Sequence, residues 1–157
     1  MRRALAALAL LLLSACYDIG APAIDLRDAQ ALPWVVGTWE FPRGREVVVF
    51  EGDHPNEYRY RDVTGRGVST GTFRAVALGG EIYLVQAIGD NGDVAALFFR
   101  RHPDGGIVEL KVSDSVFDLA KRFDVALDDL DDDGLILDGP PAKVRAFLLA
   151  HTPAHFR

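Results

Sequence analysis

VALGGEIYLVQAIGDNGDVAALFFR, residues 76–100, carries the reading of the fold. Gly79-Gly80 is a two-residue hairpin signal, because glycine adopts positive φ without steric cost. Asp90-Asn91-Gly92 is a second turn of the same kind. Between and after them run Glu81 to Ile88 and Asp93 to Arg101, short β-prone segments bounded by turn residues. Ile82 to Val85 and Val94 to Phe99 are apolar on both faces. That pattern belongs to central strands, or to strands covered on the outside by a helix.

The same texture extends in both directions. Upstream lie Trp34 to Phe41, the turn Pro42-Arg43-Gly44, Glu46 to Glu51, the turn Gly52 to Asn56, Glu57 to Val63, the turn Thr64 to Gly67, and Val68 to Leu78. Downstream, His102 to Gly106 forms a loop before Ile107 to Ser113. Tyr58 and Tyr60 share one face of their run, and Val108, Leu110 and Val112 share one face of theirs. These seven runs at regular spacing fit an antiparallel meander, sandwich or barrel. After Ser113 the period becomes helical. Val116, Leu119, Ala120 and Phe123 recur at i, i+3, i+4 and i+7, with Asp114 placed as an N-cap. Pro140-Pro141 opens a last helix, with Val144, Phe147, Leu148 and His151 along one face and Pro153 stopping it. This helix is expected to close one end of the sheet or to lie across it.

The start of the chain has a different character. Arg2 and Arg3 precede an unbroken apolar run from Ala4 to Leu13, followed by the small residues Ser14 and Ala15. That is the layout of a secretory signal peptide, and it falls short of the ~20 apolar residues a bilayer span requires. Leu13-Ser14-Ala15-Cys16 resembles the lipobox of bacterial lipoproteins at all four positions. The resemblance implies cleavage before Cys16, acylation of its sulfur and amino group, and a lipid anchor in the bacterial cell envelope. With Tyr17 rather than aspartate after the cysteine, it implies sorting to the outer membrane, facing the periplasm. More than one acyl chain is what stable anchoring takes. Residues 1–15 are then the signal peptide, residues 16–33 a tether and lead-in, and residues 34–157 a single β-rich domain. Loss of Arg2 and Arg3 takes the net charge from −6 to −8. Such a chain has no basic field to hold a phosphate backbone, so nucleic acid is excluded as a partner. Cys16 is the only cysteine, so the folded domain has no disulfide and no thiol nucleophile.

Gly37-Thr38-Trp39 resembles the G-x-W motif of lipocalins, in which the tryptophan seals the barrel floor. The resemblance implies a small lipocalin-like barrel or curved sheet of seven to eight antiparallel strands with a C-terminal helix. A barrel can enclose a small hydrophobic ligand, which is the expected function, with Trp39, Tyr58, Tyr60, Phe73 and Tyr83 as the candidate lining. The alternative is a non-enzymatic envelope scaffold, inhibitor or accessory subunit.

Three other patterns carry less. Gly67-Val68-Ser69-Thr70-Gly71 matches G-x-S-x-G, but a nucleophile elbow needs a helix after the serine, and here a β-prone run follows. Asp129-Leu130-Asp131-Asp132-Asp133-Gly134 reproduces the start of a Ca²⁺ loop, yet Pro140 stands where the closing glutamate belongs. A solvated acidic turn before a short strand, Leu135 to Leu137, is the preferred reading of Asp129, Asp131 and Asp133. His151 and His155 have a helical ligand spacing broken by Pro153. No convergent acid, base and nucleophile set emerges, so the expectation is a protein that is not an enzyme and uses no cofactor.

Overall fold

The computed structural model describes residues 16–129 and 134–157. Ten strands join one sheet: β1 (Tyr17–Ile19), β2 (Gly37–Phe41), β3 (Arg45–Glu51), β4 (Tyr58–Thr64), β5 (Gly67–Gly79), β6 (Ile82–Gly89), β7 (Val94–Arg101), β8 (Ile107–Glu109), β9 (Ala126–Asp129) and β10 (Leu135–Asp138). Helix α1 (Ser115–Phe123) follows β8, and α2 (Pro141–Leu149) follows β10. The protein is thus mainly β, with a helix near its C-terminus. The seven runs read from the sequence correspond to β2 through β8, and each pairs antiparallel with the next.

Among the described residues, however, the strand count is ten rather than seven or eight, and the sheet is mixed. Strand β1 pairs antiparallel with the first half of β7 and parallel with β10, and β9 extends that side. Of these, β10 corresponds to the short strand expected at Leu135 to Leu137, while β1 and β9, three and four residues long, are too short for a period-two pattern to show. The sheet is also not closed into a barrel: its path runs from β2 to β9, and β8 pairs only with β7. It wraps nevertheless, since Phe41 on β2 and Ile107 on β8 line one cavity. A register shift between Ala77 and Gly79 interrupts the β5–β6 ladder, and such irregularities increase local twist.

Residues 17–33, expected as tether and lead-in, are part of the folded body. Tyr17 and Ile19 are almost completely buried in β1, and Ala23, Ile24, Ala29 and Leu32 are buried after it. The segment is stitched to the sheet by hydrogen bonds. Buried Gln86 accepts from the backbone N–H groups of Ala23 and Ile24, the latter at 2.8 Å. Gln30 N–H donates to Ala75 O at 2.9 Å, and Asn56 Nδ2 to Ala29 O at 2.9 Å. A short 3₁₀ turn, Leu26–Asp28, lies in the expected lead-in. Sequence composition missed this attachment because the segment uses small residues, and its partners lie far away in the chain.

Alternation along β6 shows how the core divides. Ile82 and Leu84 face one cluster with Tyr17, Phe98, Leu119, Val144, Phe147 and Leu148, beneath the two helices. Tyr83, Val85 and Ala87 face a second cluster inside the wrap, with Val49, Tyr58, Phe73 and Trp39. Both-face burial of β6 and β7 therefore has two different causes, helices outside and the wrapped sheet inside.

Candidate functional site

The inner cluster lines a half-open cavity of about 110 Å³. It is built from alternate residues of successive strands: Trp39 and Phe41 of β2, Val47 and Val49 of β3, Tyr60 of β4, Phe73 of β5, Tyr83 and Val85 of β6, Leu97 and Phe99 of β7. The 3₁₀ turn Pro33–Val35 adds Trp34 and Val35. Trp34 meets Trp39 edge-on at 6.4 Å and Tyr83 at 5.6 Å, while the Arg101 guanidinium sits 4.6 Å over its ring. Trp39 Nε1 donates to Val35 O at 2.7 Å, which fixes the turn that presents Trp34.

Of the five side chains proposed from sequence to line a cavity, Trp39, Tyr60, Phe73 and Tyr83 are brought together around this one. Tyr58 is not part of its wall. It is buried behind, stacked on Phe73 at 5.3 Å, and its hydroxyl accepts from Leu32 N–H at 2.6 Å. Tyr60 lies across Gly71. A Cβ there would stand 2.9 Å from Tyr60 Cε1 and 2.2 Å from Ile88 O, so the position admits only glycine without a shift of backbone. Gly71 is the last glycine of the G-x-S-x-G match, and its role is steric. Ser69 sits within β5, with no helix after it.

One end of the cavity is polar. Arg45 Nε lies 3.0 Å from Asp62 Oδ1, and its Nη2 2.7 Å from Asp62 Oδ2, with both side chains almost wholly buried. Arg45 also packs over the Phe41 ring at 5.1 Å. Beside Asp62 in the β4–β5 register is Ser69, whose Oγ is buried without a hydrogen-bond partner among the described residues. Glu109 shares the inner face of the sheet, opposite Phe99, and its Oε1 is likewise buried and unpaired. Burial raises the Glu109 pKa to about 7, against the opposing pull of Arg45 and Lys111. Tyr60 is also pushed up, to about 12, by burial and then by the charges of Asp62 and Asp90. Nothing in the sequence pattern singled out Arg45, Asp62 or Glu109. Each is one charged residue in a strand, and only the register and the wrap bring them to one place.

Cys16 precedes β1, at the point where β1 and β8 meet end to end along β7. Its backbone O accepts from Leu135 N–H at 3.2 Å. The thiol is buried, and its pKa is pushed up to about 12 by burial and then by Glu109 and Asp18. A thiol so placed stays protonated at neutral pH and is a poor nucleophile. Asp129 ends β9, whereas Asp131 and Asp133 lie outside the described residues. His151 is buried against Phe98 and Phe147, and His155 accepts from Thr152 N–H through Nδ1.

Comparison with known protein families, curated proteins and solved structures gave no match.

Proposed function

We propose that this protein is a lipid-anchored component of the bacterial cell envelope that binds a small apolar molecule inside its wrapped sheet. The observation that carries the reading is the cavity. Seven aromatic side chains converge on about 110 Å³ of space, with a single charged pair in the wall. Apolar enclosure with a few placed polar groups is the usual form of a small-molecule site. Its size selects the ligand. A pocket of this order takes one ring or a short alkyl segment, as a dry apolar cavity of ~150 Å³ takes benzene. A full-length acyl chain would have to leave most of its carbons outside.

The envelope location rests on Arg2, Arg3, the run Ala4 to Leu13, and Leu13-Ser14-Ala15-Cys16. With Cys16 acylated, the anchor would join the body with no spacer, since Tyr17 already belongs to β1.

The chain has two tryptophans, and both line the cavity, so its tryptophan fluorescence reports on this site alone. Toluene titrated into full-length protein carrying Cys16→Ser, free of detergent, should produce a saturable fluorescence change. Ala87→Phe, which fills the cavity from β6, should abolish it while leaving the β-sheet circular dichroism intact. An unsaturable or absent response in the unfilled protein would sink the ligand-binding reading.

A further inference from the structure

The polar end of the cavity narrows the ligand further, and this step rests on the ligand-binding reading above. Asp62 reaches the cavity wall with both carboxylate oxygens engaged by Arg45. A carboxylate offers about four acceptor sites, so capacity to accept remains. Behind the wall, Ser69 pairs with Asp62 in the β4–β5 register and Glu109 lies within reach of the Arg45 charge, although neither side chain lines the cavity itself. Asp62 is thus the one acceptor with spare capacity that the described cavity wall presents from a side-chain carboxylate. The rest of the wall is apolar, which disfavours a fully charged head group on the ligand. Around the rest of the space the rings of Trp34, Trp39, Tyr83 and Phe99 offer edges and faces to a further ring.

We propose that the cavity takes a single-ring aromatic compound carrying an uncharged hydrogen-bond donor, a phenol-type ligand. Its ring lies among Trp39, Phe73 and Tyr83, and its hydroxyl donates to Asp62 at the Arg45 end. The donor is the feature that distinguishes it from a plain hydrocarbon. Transfer from water alone favours toluene over phenol, so a preference for phenol requires the polar end.

The test compares phenol, toluene and cyclohexanol by calorimetry on the same full-length Cys16→Ser protein, with tryptophan fluorescence following competition. Phenol should bind about tenfold more tightly than toluene, the size of effect a hydrogen bond to a charged group supplies. It should also bind more tightly than cyclohexanol, and toluene should displace it. Toluene binding as tightly as phenol, or more so, would overturn the donor assignment while leaving the apolar cavity reading intact. Cyclohexanol matching phenol would overturn the aromatic assignment. Phenol that toluene cannot displace sits elsewhere, which also overturns the proposal. If toluene itself fails to bind, the ligand-binding reading falls with it.

Discussion

The hydroxyl of Tyr17 lies 2.9 Å from Nε2 of His151, joining the first strand of the described chain to a residue two positions beyond its last α-helix. His151 Nδ1 lies 3.1 Å from Phe147 O, and a carbonyl can only accept, so Nδ1 carries the proton. Nε2 is then the acceptor and Tyr17 the donor. The imidazole is buried, stacked on Phe98 at 4.6 Å and edge-on to Phe147 at 4.9 Å. Its pKa is lowered to about 4, chiefly by burial.

Tyr17→Phe removes that donor and leaves His151 Nε2 buried without a partner. The loss should destabilise the protein by about 1–3 kcal/mol, the usual cost of an orphaned buried polar atom. Urea unfolding followed by circular dichroism measures it. No change in midpoint would mean that the clamp contributes nothing.

The pH dependence of stability should be nearly flat where two groups oppose each other. His151 titrates at about 4 when folded and near 6.5 when unfolded, so its contribution is lost as pH falls through that window. Glu109 titrates at about 7 when folded and near 4.5 when unfolded, so stability is lost as pH rises through its own window. Each shift amounts to roughly 3 kcal/mol across its range. Glu109→Gln should therefore reveal a stability that climbs between pH 4.5 and 6.5, and His151→Gln one that declines. Unfolding midpoints across that range decide it; parallel profiles in both variants would refute the opposition.

Asp62→Asn weakens the buried charge-assisted hydrogen bonds from Arg45 and should cost about 1–3 kcal/mol. Removing both charges, as in Arg45→Met with Asp62→Leu, should cost less than the sum of the two single changes, because the hydrogen bonds they share are lost only once. A double-mutant cycle by chemical denaturation separates the two cases, and strict additivity would contradict the coupling.

Gln86→Leu should be more disruptive than its size suggests. It strips the acceptor from the N–H groups of Ala23 and Ile24 and should loosen the segment between β1 and the cavity. Hydrogen exchange at Ala23 and Ile24 should accelerate at least tenfold while β4 and β5 amides remain protected. Unchanged protection at these two sites would show that the segment is held by packing alone.

What could be read from the chain, and what could not, follows from range. Turns such as Gly79-Gly80 and runs such as Val94 to Phe99 are local, so β2 to β8 and both helices stand out in the sequence. The aromatic wall was legible in part for the same reason: Trp39, Tyr60, Phe73 and Tyr83 are large apolar groups on strands with a recognisable inner face. Strand β1 is defined by partners far off in sequence, β7 and β10, and so is the pairing that leaves the sheet open. Strand β10, by contrast, answers to the short strand expected at Leu135 to Leu137 and pairs with β9, its neighbour in the chain. Arg45 and Asp62 belong to no motif; they meet because Asp62 stands opposite Val47 in the β3–β4 register, two residues along from Arg45. Tyr58 shows the converse. It was placed on the correct face, but its hydroxyl holds the Leu32 backbone, and it does not line the cavity.

The most direct test of the account is an isotope-edited NOE spectrum of the full-length Cys16→Ser protein with toluene. Cross-peaks from the ligand to Trp39, Phe73 and Tyr83, absent in Ala87→Phe, are the predicted result. Cross-peaks confined to exposed apolar side chains such as Phe50 and Val68, or none at all, would contradict it.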